Sequence, residues 1–240
     1  MELFQELEKY LACPCRYFPP AKDARAVLDA YREARERGRR EGFLPMLIAA
    51  EDEILLECLE DREEPAASYR QAVLAEPVGD GEAMLSALTE RQRRIAEAYG
   101  AAWASEVVGE MEGGESVGTF SGIFDFHGNT IPLALAEIPV EHPWEIFAWL
   151  PFGGWNECPD TPELMAAAKY WYEKYGAVPA VMTHDVLEFD LPSPVERKEA
   201  AALALEQYAF CPDIVDQGCE TVGVLADTLS KSTKWFFWWD

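Results

Sequence analysis

Pro143-Trp144-Glu145-Ile146-Phe147-Ala148-Trp149-Leu150-Pro151-Phe152-Gly153-Gly154-Trp155-Asn156-Glu157-Cys158-Pro159 is the stretch that decides how this chain folds. Trp144 to Leu150 is apolar at nearly every position and predicts a buried strand. Gly153-Gly154 then breaks the chain, and Asn156-Glu157-Cys158-Pro159 makes a polar loop. That loop feeds a helix at Asp160-Thr161-Pro162-Glu163, with a capping side chain, a proline in the first turn and an acid beside the positive dipole end. Leu164, Ala168, Trp171 and Tyr175 share one face of it, and Gly176 closes it.

Working outward, Glu112-Gly113-Gly114-Glu115 reads as a long turn or linker. After it the hydrophobic period becomes two. Val117 to Phe126 predicts a strand, His127-Gly128-Asn129 a turn and Ile131 to Ile138 the returning strand. Downstream, Val178–Met182 and Val186–Leu191 predict a hairpin turning at Thr183-His184-Asp185. Leu187, Phe189 and Leu191 point one way, and Glu188 and Asp190 toward solvent or a site. Ser193-Pro194-Val195-Glu196 has the form of a capping box opening a helix to about Tyr208. Cys211-Pro212 ends it, and a loop over Asp213–Cys219 leads to a last helix at about Thr221–Lys231. Trp235-Phe236-Phe237-Trp238-Trp239 predicts a strand covered on both sides.

The first half is mainly helical. Leu3, Phe4, Leu7 and Leu11 mark an amphipathic helix over 2–12, stopped by Pro14, Pro19 and Pro20, with a short extended piece or loop at Cys15–Phe18. A second helix spans about 23–40, and its arginine-rich tail is either an anion site or a solvated face. Phe43 to Ala50 predicts a buried strand. Helix follows at 51–60, a polar break at 61–65, strand or helix at 66–75, and a long helical pattern from Glu82 to Glu110 that Gly100 interrupts. The order of elements predicts an α+β fold: a mixed, mostly antiparallel sheet flanked by helices, with a helical N-terminal region. We read 1–240 as one domain, with 1–110 mainly helical around one buried strand and 115–240 the strand-and-helix part.

A formal charge of −24 argues against nucleic acid as a partner, because phosphate contacts need a basic surface. It suits a basic protein partner through electrostatic steering. No apolar run approaches a membrane span. The acidic Met1-Glu2-Leu3-Phe4-Gln5-Glu6 opening is not a secretion signal, so the cytoplasm is expected. Six cysteines in that setting are expected as thiols. Cys13-Pro14-Cys15 is too tight for the usual zinc knuckle.

The second half resembles a bacterial family catalogued as domain-of-unknown-function family 4253. The resemblance rests on Phe152 to Pro159, on Tyr170-Trp171-Tyr172 with Tyr175-Gly176, on Glu206-Gln207-Tyr208 with Cys211 to Val215, and on Trp235 to Asp240, in that order. It covers roughly 135–240, with a looser likeness around Phe43-Leu44-Pro45. It implies a fold and a bacterial source but no reaction. Some members of that family neighbour toxin-immunity genes.

Two Cys-Pro loops carry the candidate chemistry. Asn156, Glu157 and Cys158 precede a helix N-terminus, where free N–H groups favour anions and lower a thiol's pKa. Cys158 is a candidate nucleophile, with His184 as a partner if the fold brings them together. The alternative is a packed loop with Cys158 as an apolar filler. Cys211, Asp213 and Asp216 make the second loop. Asp213 and Asp216, with Glu206 upstream, would suit a hard cation if any metal binds, or would serve as helix caps. No phosphate loop, nucleophile elbow or cofactor motif occurs, so no cofactor is expected. These features predict a non-enzymatic binding module, possibly of the immunity type, with a basic protein partner. The alternative is a small-molecule-binding protein or hydrolase-like enzyme built on the 156–158 and 211–216 loops. Whether those loops face one cavity separates the two.

Overall fold

A computed structural model of the chain describes residues 1–60 and 64–240. Part of the expected polar break, 61–63, therefore lies outside the described residues.

Among the described residues six strands make one sheet. In chain order they are β1 (Cys15–Phe18), β2 (Leu44–Ala49), β3 (Leu133–Ile138), β4 (Val178–Met182), β5 (Val186–Asp190) and β6 (Lys234–Trp238). In space they run β1-β3-β2-β4-β5-β6. Only β2 and β4 pair in parallel; the other neighbours are antiparallel. The helices are α1 (Glu2–Leu11), α2 (Arg25–Glu41), α3 (Glu53–Glu60), α4 (Ala66–Ala75), α5 (Gly81–Ala98), α6 (Ile146–Trp149), α7 (Thr161–Tyr175), α8 (Arg197–Phe210) and α9 (Val222–Leu229). The fold is α+β, as the order of elements predicts.

Strand alternation splits the core into two layers. Met46, Ile48, Ala134, Ala136, Leu187, Phe189, Trp235 and Phe237 face a large core shared with α1, α3, α5, α7, α8 and α9. Leu47, Leu133, Leu135, Ala180 and Val181 face a smaller one under α2, Phe120 and Ile123. At the centre of the large core Trp171 stacks on Phe237 (centroids 5.5 Å apart) and meets Phe189, Phe210 and Trp235 edge-on. Such offset and edge-on pairs stabilise beyond the area they bury.

Several elements differ from the sequence expectation. Trp144 to Leu150 is not a strand. Pro143–Glu145 is a 3₁₀ turn that runs into α6. The Glu145 carboxylate accepts the Glu141 and His142 N–H groups (2.9 and 3.0 Å), and so turns the chain. An apolar run buried on all sides does not distinguish strand from helix. The expected strand at 117–126 is also missing, apart from one bridge between Phe124 and Thr130. The Ser121 and Gly122 amides instead donate to the Glu188 carboxylate (2.8 and 3.0 Å). Glu188 is therefore fully buried, facing neither solvent nor an open site.

The Ser193–Glu196 capping box does not form. α8 begins at Arg197, and the Glu196 carboxylate pairs with Lys198 (2.7 Å). β6 is an edge strand with one open face, since Phe236 is 38% exposed between the buried Trp235 and Phe237. The undecided segment at 66–75 is helical. In the arginine-rich tail of α2, Arg35 pairs with Asp190 (3.4 Å), and Arg37 with Glu137 and Glu41.

Candidate functional site

The two Cys-Pro loops share one cleft only through Pro212: Asn156, Glu157 and Cys158 line it, and Cys211, Asp213 and Asp216 do not. Residues 154–160, the α5 side chains Leu88, Arg91, Gln92 and Ile95, and the end of α8 with Pro212 surround a cleft of about 400 Å³. Its floor is set by a tight loop. The Cys158 N–H donates to the Trp155 carbonyl (2.8 Å) and the Gly154 N–H to the Cys158 carbonyl (3.0 Å). Gly153 and Gly154 take φ of 81° and 80°, and a methyl group on Gly153 would lie 1.9 Å from the Pro159 carbonyl. Only glycine fits there. Asn156 and Glu157 also have positive φ, 43° and 61°. Asn tolerates this region; Glu does so at a cost of about 1–2 kcal/mol. Both side chains are exposed at the cleft. At its far wall the capping box of α7 closes, with the Glu163 N–H donating to Asp160 and the Asp160 N–H donating to Glu163 (3.2 Å each).

Both candidate thiols are buried. Cys158 is 5% exposed and Cys211 fully buried. Burial, with the neighbouring Cys211 and Glu163 adding to it, pushes the Cys158 thiol far above its ordinary value. Burial pushes Cys211 up to about 12, and its S–H donates to the Trp238 carbonyl (3.0 Å). Both are protonated at neutral pH, and a protonated thiol is a poor nucleophile. The position before a helix N-terminus suggested the opposite, but desolvation outweighs the dipole here.

The acids of the second loop are tied into the scaffold. Asp213 accepts the Gln217 side-chain amide (3.0 Å) and the Asp240 N–H (3.1 Å), which fixes the chain after β6. Asp216 accepts the Tyr208 hydroxyl (3.1 Å). Its carboxyl is raised by burial, with the Asp213 and Glu157 charges adding to it. Glu206 is engaged elsewhere, accepting from the Tyr170 hydroxyl (2.9 Å) and the Trp171 indole (3.2 Å). Among the described residues no group of three His, Cys, Asp or Glu side chains is placed to hold a metal ion.

His184 lines a second cleft of about 220 Å³ with Leu55, Cys58, Phe152 and Trp155. Trp155 borders both clefts, and Cys158 lines only the first of the two. His184 is hydrogen-bonded elsewhere and does not partner Cys158. Asp52 instead accepts both the backbone N–H (3.0 Å) and Nδ1 (2.8 Å) of His184, while its other oxygen caps α3 through the Leu55 N–H (3.0 Å). These residues follow the C-terminal ends of β2 and β4, where a parallel pair opens a crevice. Asp52 went unnoticed in the sequence, although an Asp just before Glu53 at a helix start was a legible signal. Glu188 was read only as one of two outward acids; a single acid inside the Val186–Phe189 apolar run was its signal.

Two larger depressions lie elsewhere. One, of about 530 Å³, is a largely apolar groove between α4 and Pro162–Met165. The other, of about 620 Å³, lies beside α2. There Asp190 pairs with both Arg35 and Lys234 (3.4 and 2.8 Å).

Residues 134–240 match the model of a family described as a domain of unknown function (DUF4253). The match begins within β3, so β1 and β2 of the same sheet lie outside it. No curated protein and no solved structure matches the chain. No helix among the described residues is long and apolar enough to cross a membrane.

Proposed function

We propose that this protein is a non-enzymatic binding module for a basic protein partner, and that a lysine or arginine side chain of the partner enters the cleft between residues 154–160 and the end of α8. One observation carries the reading. The loop buries its thiol and presents Asn156 and Glu157 outward at positive φ, beside the carboxylates of Asp160 and Glu163. Arg91 is the one cation among the residues lining that cleft, and the acids outnumber it. A strained exposed loop is a place where scaffold stability supports recognition. The charge of −24 would steer a basic partner toward it. An immunity-type role, an acidic protein covering a basic one, and a cytoplasmic setting belong to the same reading. A hydrolase-like site with a cysteine nucleophile on the same loops has less support, because both thiols are buried and raised well above their ordinary value.

Calorimetric titration with octalysine tests the proposal. Binding should weaken steeply with added salt. Glu157→Gln should weaken it several-fold, and Cys158→Ala should leave it unchanged. Loss of binding in Cys158→Ala with Glu157→Gln unaffected would overturn the proposal.

A further inference from the structure

The arginine-rich tail of α2 lines a cleft that shares no residue with the one bounded by Glu157. About 620 Å³ in volume, it lies between the last turns of α2, the chain entering β2 and the ends of β5 and α7. That volume is in the range of small-molecule sites. Gly38 shapes one end of it. Its carbonyl accepts the Gly42 and Phe43 N–H groups (2.8 and 3.2 Å), and a methyl group on Gly38 would collide with the Phe43 carbonyl. This tight reversal lays Phe43 against the helix, where the Arg37 guanidinium covers its ring.

Arg32, Arg35 and Arg39 recur at spacings of three and four, so one face of α2 brings all three to the cleft. Arg32 is paired with Asp29. Cations near a helix C-terminus are favoured by the dipole, which accounts for Arg39 but not for Arg35 a turn earlier. Arg35 is held instead by the sheet. Its side chain is 17% exposed, and its Nε lies 3.4 Å from Asp190 Oδ2. Asp190 has other donors as well: Lys234 Nζ on Oδ1 (2.8 Å) and the Tyr31 hydroxyl on Oδ2 (3.3 Å). One carboxylate therefore meets two cations, and it orients Arg35 through one nitrogen only. The two Nη groups of Arg35 have no hydrogen-bond partner among the described residues, and they are not sealed from the cleft. Arg39 is exposed and enters no ion pair among the described residues. A guanidinium fixed at one edge and open at the other presents a fork that matches a carboxylate or phosphate group.

We propose that this cleft binds a small organic anion: its carboxylate or phosphate group takes the Arg35 fork beside Arg39, and its aromatic or apolar body lies against Phe43, Pro143 and Tyr172. Those three side chains present accessible apolar surface on the cleft wall, over the buried Val140 and Leu191. Glu36 and Glu141, both exposed, also border the cleft. They and the charge of −24 oppose a bare inorganic anion. The ligand must therefore bring apolar contact as well as charge, and the apolar wall supplies the other half of the recognition.

The test follows backbone amide shifts of the full chain at neutral pH during titration with phenyl phosphate or benzoate, with inorganic phosphate and phenol as controls. At least one of the two aromatic anions should give saturable shifts at Arg35–Leu44 and at Asp190 and Leu191, roughly tenfold more tightly than either control; the tighter of the two identifies the head group. Arg39→Gln, which removes an exposed side chain with no ion pair, should weaken binding several-fold. Arg35→Gln, checked for folding by circular dichroism, should weaken it roughly tenfold or more, in line with loss of a charge-assisted pair. Glu36→Gln should tighten it. Glu157→Gln should leave it unchanged, which separates this cleft from the one proposed for a basic partner. Affinity unchanged in both arginine variants, inorganic phosphate binding as tightly as the aromatic anions, or no saturable shift with either of them would overturn the proposal.

Discussion

Replacing Glu188 by glutamine should remove a pH dependence of stability that the wild type carries between pH 5 and 8. The carboxyl is fully buried in β5, with two backbone N–H donors and Lys234 in its field. Burial dominates, and pushes it from 4.5 to about 7. The raised value fixes the sign. Between 4.5 and 7 the unfolded chain has lost this proton and the folded chain keeps it, so stability falls as pH rises through that window. That rise corresponds to about 3 kcal/mol once both forms are ionised. Asp227, held at about 2 by Lys231 and Arg197, contributes in the opposite sense, but titrates below the window. Self-repulsion of the acidic chain also grows with pH, so the wild type alone is not decisive. The difference between Glu188→Gln and wild type is, because shared terms cancel. Urea unfolding at pH 5 and pH 8 should show that difference moving by about 2.5 kcal/mol in favour of the variant at pH 8. Parallel pH profiles would refute the reasoning, since they would mean Glu188 titrates alike in both states.

Three further outcomes follow from the packing. Gly153→Ala should cost well over the roughly 1–2 kcal/mol of left-handed strain, because its methyl meets the Pro159 carbonyl, whereas Gly154→Ala, with open space around it, should cost only that strain; paired urea titrations compare them. Trp171→Ala should lower stability by about 3–5 kcal/mol, since Trp171 is fully buried at the centre of the aromatic cluster. Cys158 and Cys211 should react with a thiol reagent only after denaturant is added, while Cys58 reacts at once; labelling followed by peptide mapping reads this.

Most of the fold was legible because its signals are local. The Asp160–Glu163 capping box, the Gly176 stop, the 178–191 hairpin and the Gly100 break all stand where sequence rules put them. Two misread strands share one cause: the backbone of the segment found its partners in a side chain far away or just beside it. Residues 117–126 look like a strand by alternation, yet Ser121 and Gly122 bond to Glu188, some 66 residues on. Trp144–Leu150 looks like a strand by composition, yet Glu145 caps it into helix. The cleft that the two Cys-Pro loops share through Pro212 was legible only as a question. Their residues are separated by the whole of α7, β4, β5 and α8, and no spacing rule joins them. The burial of both thiols was not legible either, because a cysteine before a helix has the same letters whether it faces water or the core.

Mapping where octalysine sits on the folded protein tests the binding-cleft account most directly. Backbone amide chemical shifts, followed through a titration, should move at Trp155–Asp160, at Ala209–Asp213 and along the Leu88–Ile95 face of α5, and Glu157→Gln should shrink all three together. Shifts confined to the acidic surface elsewhere, or spread evenly over it, would contradict the account.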